Sequence, residues 1–260
     1  MITLLYHDVV PTEQFASSGF VSGGANIYKL EQPEFELHLE SIHKSISSRP
    51  VAVLKRAADL MSADLLLFTF DDGGSSSFQI AELLERYSWR GHFFITTDYI
   101  GKPGFMTPPQ IRELHRRGHS IGSHSCSHPA RMSHCDEEQL QREWRESLRV
   151  LAAVTGDKIR LASVPGGYYS GKVAEAAARA GIEILFNSEP TRRTRSIDGC
   201  TILGRYSIQQ GVSAATASRI AAGNWVPRFR QALLWKSKKV AKRLGGSHYI
   251  ALRKFLLKDA

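Results

Sequence analysis

Apolar positions along this chain fall into short runs separated by segments of helical spacing. Residues 65–70 (Leu-Leu-Leu-Phe-Thr-Phe) are too few for a helix and predict a strand buried on both faces, which stops at Asp71-Asp72-Gly73-Gly74. Residues 2–6 predict an earlier strand ending at His7-Asp8. Residues 92–97, 119–124, 160–164, 184–187 and 201–206 predict five more. Helical stripes lie between them: Phe35, Leu39, Ile42 and Ile46; Ile80, Leu83 and Leu84; Leu140, Trp144, Leu148 and Leu151; Val173, Ala176, Ala177 and Ala180. Pro108-Pro109 opens a further helix that Gly118 stops. Ser75 to Ser77 offer N-cap hydroxyls to the helix that follows the Asp-Asp strand, and Asp136 does so for the long helix behind it. Residues 50–62 fit either a strand or a helix start.

Strands alternating with helices imply parallel βαβ units with right-handed crossovers. About seven strands in roughly 230 residues predict an α/β fold closed, or nearly closed, into a barrel. An open doubly wound sheet is the competitor, but no glycine-rich phosphate fingerprint follows any strand. Residues 1–225 are assigned to the barrel and residues 226–260 to a basic helical tail. Hydrophobic content of 42% and charged content of 23% are those of an ordinary globular protein. No run approaches the ~18 apolar residues of a membrane span.

Charge changes the picture at one end only. Residues 228–260 hold ten Lys and Arg against one acid, Asp259, which leaves 24 of each sign in residues 1–227. The whole excess of +9 is therefore a property of the tail. There Phe229, Leu233, Val240 and Leu244 share one face, with Lys236, Lys238, Lys239, Lys242 and Arg243 around it. Two readings stand: an amphipathic segment (residues 228–258) on an anionic membrane surface, or a helix docked on the barrel with a solvated basic side. Trp225 and Trp235 read as packing residues. No aromatic-interleaved basic motif is present, so no nucleic-acid partner is expected. Three cysteines without paired spacing and an N-terminus without a basic leader point to the cytoplasm, with the inner face of the membrane as the place for the tail.

The chemistry collects at strand ends: His7-Asp8, Asp71-Asp72, His124 with His128, and Ser163 to Gly167. In a parallel barrel these ends form one face, so positions 7 to 167 should converge on one pocket. Asp71-Asp72 alone reads either as a solvated Asp-Gly turn or as a metal ligand beside a general base. Asp72, His124 and His128 make a two-His, one-carboxylate set that leaves coordination positions open, as catalytic zinc or non-haem iron sites do. Cys126, between the histidines, would tend to close such a site and is given a structural role.

Thr69-Phe70-Asp71-Asp72-Gly73 followed by His124-x-x-x-His128 resembles the polysaccharide deacetylases, the carbohydrate esterase family four or NodB-homology fold. The resemblance covers most of residues 1–206. It implies a distorted (β/α)7 barrel and a hydrolase that removes N-acetyl groups from an amino-sugar polysaccharide or oligosaccharide, exopolysaccharide included. Asp71 would be the base, and Asp72, His124 and His128 the ligands of a divalent metal, zinc first, with Co2+, Ni2+ or Fe2+ as the other candidates. Pro165, Gly166, Gly167 and Tyr168 sit where the family has its substrate groove wall. Two positions depart from the pattern. Ser163 replaces the groove arginine that holds the base, and Leu203-Gly204-Arg205 carries arginine where the family's late Leu-x-His carries the acid. Leu5-Tyr6-His7-Asp8-Val9 is, however, similar to the opening strand of a permuted branch, the poly-N-acetylglucosamine deacetylases, in which the acid-bearing strand comes first. On that reading His7 supplies the acid and Arg205 the cation that holds Asp71. The alternatives are an O-acetyl esterase on the same scaffold and a catalytically inactive carbohydrate-binding relative.

Overall fold

Seven main parallel strands curl around one interior. The computed structural model describes residues 1–46, 49–61 and 64–237 of the chain. The chain opens with β1 (Ile2–Tyr6), β2 (Val9–Val10), a short α1 (Gly23–Asn26), β3 (Leu30–Glu31) and α2 (Gln32–Ser45). Four βα units follow: β4 (Leu66–Phe70) with α3 (Ser77–Glu85), β5 (His92–Ile95) with α4 (Pro108–Arg116), β6 (Ser120–Ser123) with α5 (Glu137–Thr155), and β7 (Leu161–Ser163) with α6 (Gly171–Arg179). The described elements end with β8 (Ile184–Phe186), β9 (Arg195–Ile197), β10 (Cys200–Leu203), β11 (Tyr206–Ser207), α7 (Ala214–Ala221) and a helix over 225–237.

The sheet order is β11-β1-β4-β5-β6-β7-β8-β10-β9, with only β9 antiparallel to its neighbour. Its two ends belong to one stretch of chain. β10 pairs with β8, and after Gly204-Arg205 the same segment, as β11, pairs with β1 through Leu4↔Tyr206 and Leu5↔Ser207. The sheet therefore curls round on itself as a distorted (β/α)7 barrel. Residues 201–206, expected as one strand, are two strands broken at Gly204, where a Cβ would lie 2.3 Å from the Glu189 carbonyl oxygen.

The two-residue period of the strands decides what faces inward. On β4, Leu66, Phe68 and Phe70 pack with α2 and α3 side chains, whereas Leu67 joins Phe94, Leu161, Ile184, Phe186 and Leu203 in the interior cluster. The inward series 67, 69 continues to Asp71. By the same parity 161 continues to Ser163, 203 to Arg205, and 1, 3, 5 to His7. Gly122 lies inward on β6; a Cβ there would be 2.5 Å from the Phe94 ring and 2.9 Å from the Leu161 oxygen. Its series continues to His124. The side chains singled out at five strand ends thus point into one mouth because each extends an inward-facing row.

Three further expectations change. Val51 makes an isolated bridge to Leu66, and residues 57–61 form a 3-10 turn rather than a regular strand or α-helix. Ser76 stands at the N-cap of α3 without a side-chain capping bond; its hydroxyl donates to Asp8 Oδ1 instead (2.8 Å). Trp225 is 67% exposed on the helix over 225–237 rather than packed. Of the predicted tail segment, residues 238–258 lie outside the described residues.

Candidate active site

Asp71 is 4% exposed and Arg205 fully buried, and they form a bidentate pair: Nη1 donates to Oδ1 at 2.7 Å and Nη2 to Oδ2 at 2.8 Å. The guanidinium lies between the barrel rings of Phe94 and Phe186, with Nε donating to the Asn187 carbonyl (3.0 Å). Burial opposes ionisation of Asp71, yet the Arg205 guanidinium holds its carboxyl well below the usual carboxylate range. Ser163, where the family pattern has arginine, adds a hydroxyl donated to Asp71 Oδ1 at 2.9 Å.

That hydroxyl fixes a proton further along. With its hydrogen on Asp71, Ser163 Oγ can only accept from His124 Nδ1, 2.5 Å away, and the Ser163 carbonyl lies 3.2 Å from the same nitrogen. The hydrogen-bond network thus assigns the proton of a neutral His124 to Nδ1 and leaves a lone pair on Nε2. This lone pair faces Asp72 Oδ1 at 3.3 Å, and His128 Nε2 lies 3.6 Å from the same oxygen. Burial lowers the His128 pKa, which favours the neutral form a cation needs. Two imidazole nitrogens facing one carboxylate oxygen repel unless a cation lies between them. In a tetrahedral site with bonds of about 2.0–2.1 Å, neighbouring ligand atoms are about 3.4 Å apart. Asp72, His124 and His128 offer one ligand atom each, all within 4.8 Å of one another, and they are the one group of this kind among the described residues. The donor set fits a divalent metal.

The backbone that carries these side chains adopts unusual conformations. Asp72, Ser125 and His128 have φ of +75°, +66° and +57°, values that non-glycine residues rarely adopt. The His124–His128 spacing is thus a tight loop, not a helical turn. Glu143, 2% exposed on α5, holds it by accepting from the Cys126 and Ser127 N–H groups (2.9 and 2.8 Å) and the Ser127 hydroxyl (2.6 Å). Sequence reading missed Glu143, although its place among Leu140, Trp144, Ser147 and Leu151 marks a carboxylate within a buried stripe. Cys126 stands outside the ligand group: burial pushes its thiol up to about 12, and Sγ donates to Asp98 Oδ1 at 3.0 Å.

His7 ends β1 half-buried, its ring 4.7 Å from that of Tyr28. Its Nδ1 is buried without a hydrogen-bond partner among the described residues. Pro165 to Gly167 form a 3-10 turn after Ser163, with left-handed φ at Gly166 (+59°) and Gly167 (+68°). Tyr168 follows half-exposed, beneath the Arg131 guanidinium at 5.9 Å, while Tyr169 packs on the core beside α6.

The sequence profile of the polysaccharide deacetylase family matches residues 60–185, a span that includes Asp71, Asp72, His124, His128 and Ser163. Over 217 residues the chain is 25% identical to YxkH of Bacillus subtilis, which carries the same family name; the match covers 82% of this chain and 72% of that one. Residues 60–185 of the chain carry a polysaccharide deacetylase domain. A second relative, the peptidoglycan-N-acetylglucosamine deacetylase of Bacillus cereus, is 26% identical over 123 residues, 46% of this chain and 55% of its own. The deacetylase fold recurs in solved structures. Streptococcus pyogenes PplD, in complex with acetate, superposes with a TM-score of 0.67 at 16% identity, covering 82% of this chain and 94% of its own. IcaB from Ammonifex degensii gives 0.66 at 18%, covering 85% and 96%. His7 and Arg205 both lie outside the span the deacetylase profile matches.

Proposed function

We propose that this deacetylase is a metal-dependent hydrolase that removes N-acetyl groups from an amino-sugar polymer. The observation that carries the reading is the Asp72–His124–His128 cluster directly beside an ion-paired Asp71. Asp72, His124 and His128 would hold the ion, for which zinc is the first candidate. A bound divalent metal supplies a Lewis acid for the acyl carbonyl and makes water a nucleophile near neutral pH. Asp71, held ionised by Arg205 and Ser163, accepts the proton of the attacking water. Ser163 also orients His124 through Nδ1, so one hydroxyl couples the base to the ligand set. His7, with a buried ring nitrogen that no described group satisfies, is the proton donor to the departing amine. The turn of Pro165, Gly166 and Gly167, with Tyr168 after it, borders the side on which the sugar lies.

The test is acetate release from N-acetylglucosamine oligomers by protein reconstituted with zinc, compared with chelator-treated protein and with Asp72→Ala. Release from O-acetylated but not N-acetylated glycans would redirect the reading to an esterase. Metal binding with no acetate from any acetylated glycan would leave an inactive carbohydrate-binding relative.

We also infer a second property, a contact of the basic tail with anionic membrane at the cytoplasmic face. Exposure of Trp225, Val226, Phe229, Leu233 and Leu234 along the helix over 225–237, next to the charge excess of residues 228–260, supports it. The three free cysteines agree with a reducing compartment. Salt-sensitive binding to anionic vesicles, lost on truncation after residue 224, is the expected result; equal binding by the truncated protein refutes it.

A further inference from the structure

Asp8, next to His7, takes no part in the chemistry above, yet it is 3% exposed. Its Oδ1 accepts from the hydroxyls of Ser18 (2.5 Å) and Ser76 (2.8 Å). Ser18 Oγ in turn accepts from the Ser76 N–H (2.9 Å), and Ser76 Oγ from the Val9 N–H (3.1 Å). Each hydroxyl therefore donates once and accepts once. Two glycines let the chain reach the carboxylate: a Cβ at Gly19 or at Gly74 would lie 2.0 Å from an Asp8 oxygen. A third loop joins them, since the Gly104 carbonyl accepts from Gly19 N–H (2.8 Å) and Ser75 N–H (2.9 Å). Loops following β2, β4 and β5 are thus tied together around one buried side chain.

What this knot holds up is an aromatic wall. Phe20, immediately after Gly19, stands edge-on to Tyr99 (4.7 Å) and Phe105 (5.1 Å) and lies 4.8 Å from the His128 ring. Phe20 and Tyr99 keep part of their surface open to solvent, whereas Phe105 is buried beneath them. An aromatic pair next to a metal ligand presents an apolar, electron-rich face of the kind that C–H-rich faces of pyranose rings and acetyl methyls pack against.

We propose that Phe20 and Tyr99 form the wall of the cleft that selects the acylated sugar, and that Asp8 is the positioning residue that holds this wall against His128. The proposal rests on the deacetylase reading for its substrate class. Phe20 and Tyr99 act by contact with the sugar; Asp8 acts only through the loop of residues 18–20. Substrate affinity should therefore depend on Asp8 while metal affinity and the chemical step do not.

The experiment compares Phe20→Ala, Asp8→Ala and Asp8→Asn with the wild type in the zinc-loaded full chain, using an N-acetylglucosamine oligomer as the probe. Asn keeps the shape and the accepting Oδ1, so Asp8→Asn should retain the wild-type KM. Phe20→Ala and Asp8→Ala should each raise KM about tenfold, with kcat within about threefold and zinc affinity, titrated against a competing chelator, unchanged. If Asp8→Ala does not fold, Ser18→Ala, which cuts only the loop's own link, replaces it with the same expected rise. Unchanged KM in Phe20→Ala overturns the wall. A rise in Phe20→Ala alone, with Asp8→Ala merely melting earlier, overturns the positioning role. Direct titration with the oligomer separates this proposal from the activity. Wild type that binds the oligomer but releases no acetate, with binding lost in Phe20→Ala, sinks the hydrolase and keeps the wall; no binding at all sinks both.

Discussion

Replacing Arg205 by Met removes one charge from a fully buried pair and leaves the other without a partner. The side chain is 0% exposed, its two donors to Asp71 are at 2.7 and 2.8 Å, and Asp71 itself is 4% exposed. Removing one member of such a pair costs about 3–5 kcal/mol, because the desolvated partner loses its counter-charge. For a domain of this size that corresponds to a fall in melting temperature on the order of 10 °C. Met restores most of the volume between Phe94 and Phe186, so most of the loss is electrostatic. A pH signature follows. In the wild type the Asp71 carboxyl lies below its unfolded value, so its contribution is present above about pH 4 and is lost only as pH falls through its folded pKa. In Arg205→Met, burial, now unopposed by the guanidinium, drives that pKa above the unfolded value. The contribution then reverses sign and the variant loses stability as pH rises from about 4. Urea unfolding of chelator-treated protein should show the gap between variant and wild type widening from pH 4.5 to pH 7.5. Adding Asp71→Asn to Arg205→Met should close most of it. A cost under about 1 kcal/mol, or one that does not change with pH, would falsify the view that this ion pair is the electrostatic keystone of the barrel mouth.

Further expectations are smaller in scope. His7→Ala should abolish acetate release while zinc binding, measured by competition with a chelator, stays at the wild-type level; loss of the metal instead would place His7 among the ligands. Glu143→Leu should weaken zinc binding about 10- to 100-fold, because the loop that presents His128 loses three hydrogen bonds to one carboxylate; undiminished affinity would show the loop is held otherwise. Gly122→Ala should cost about 1–3 kcal/mol in denaturant unfolding, since the added methyl meets Phe94 and the Leu161 carbonyl. Glu85 accepts from Arg117 and His119, and its carboxyl is held down to about 2, first by the Arg117 hydrogen bonds. Glu85→Gln should therefore cost about 1–2 kcal/mol at pH 7, allowing for solvent screening, and less as pH falls from about 4.5 towards 2; a cost that is level across that range would contradict the pairing.

Much of this protein was legible in the order of its residues. Runs such as 65–70 and stripes such as Leu140, Trp144 and Leu151 record local periodicity, and periodicity alone sets strand or helix. Parity did more: because side chains alternate along a strand, an inward Leu67 places Asp71 inward, and an inward Leu161 places Ser163 there. The fold class and the convergence of His7, Asp71, His124 and Ser163 on one mouth therefore follow from sequence once the strands are recognised. Three things did not follow. The break at Gly204-Arg205 arises because one segment must pair with β8 and then with β1, a demand made only by closure of the ring. The service of Ser163, coupling Asp71 to His124, depends on a 2.5 Å contact between residues 39 positions apart, and in the chain it reads only as a lost arginine. Asp8 and Glu143 are buried carboxylates with nothing in sequence to show what they bind. Their partners are backbone and hydroxyl groups of distant loops, and such groups acquire an address only when the tertiary structure brings them together.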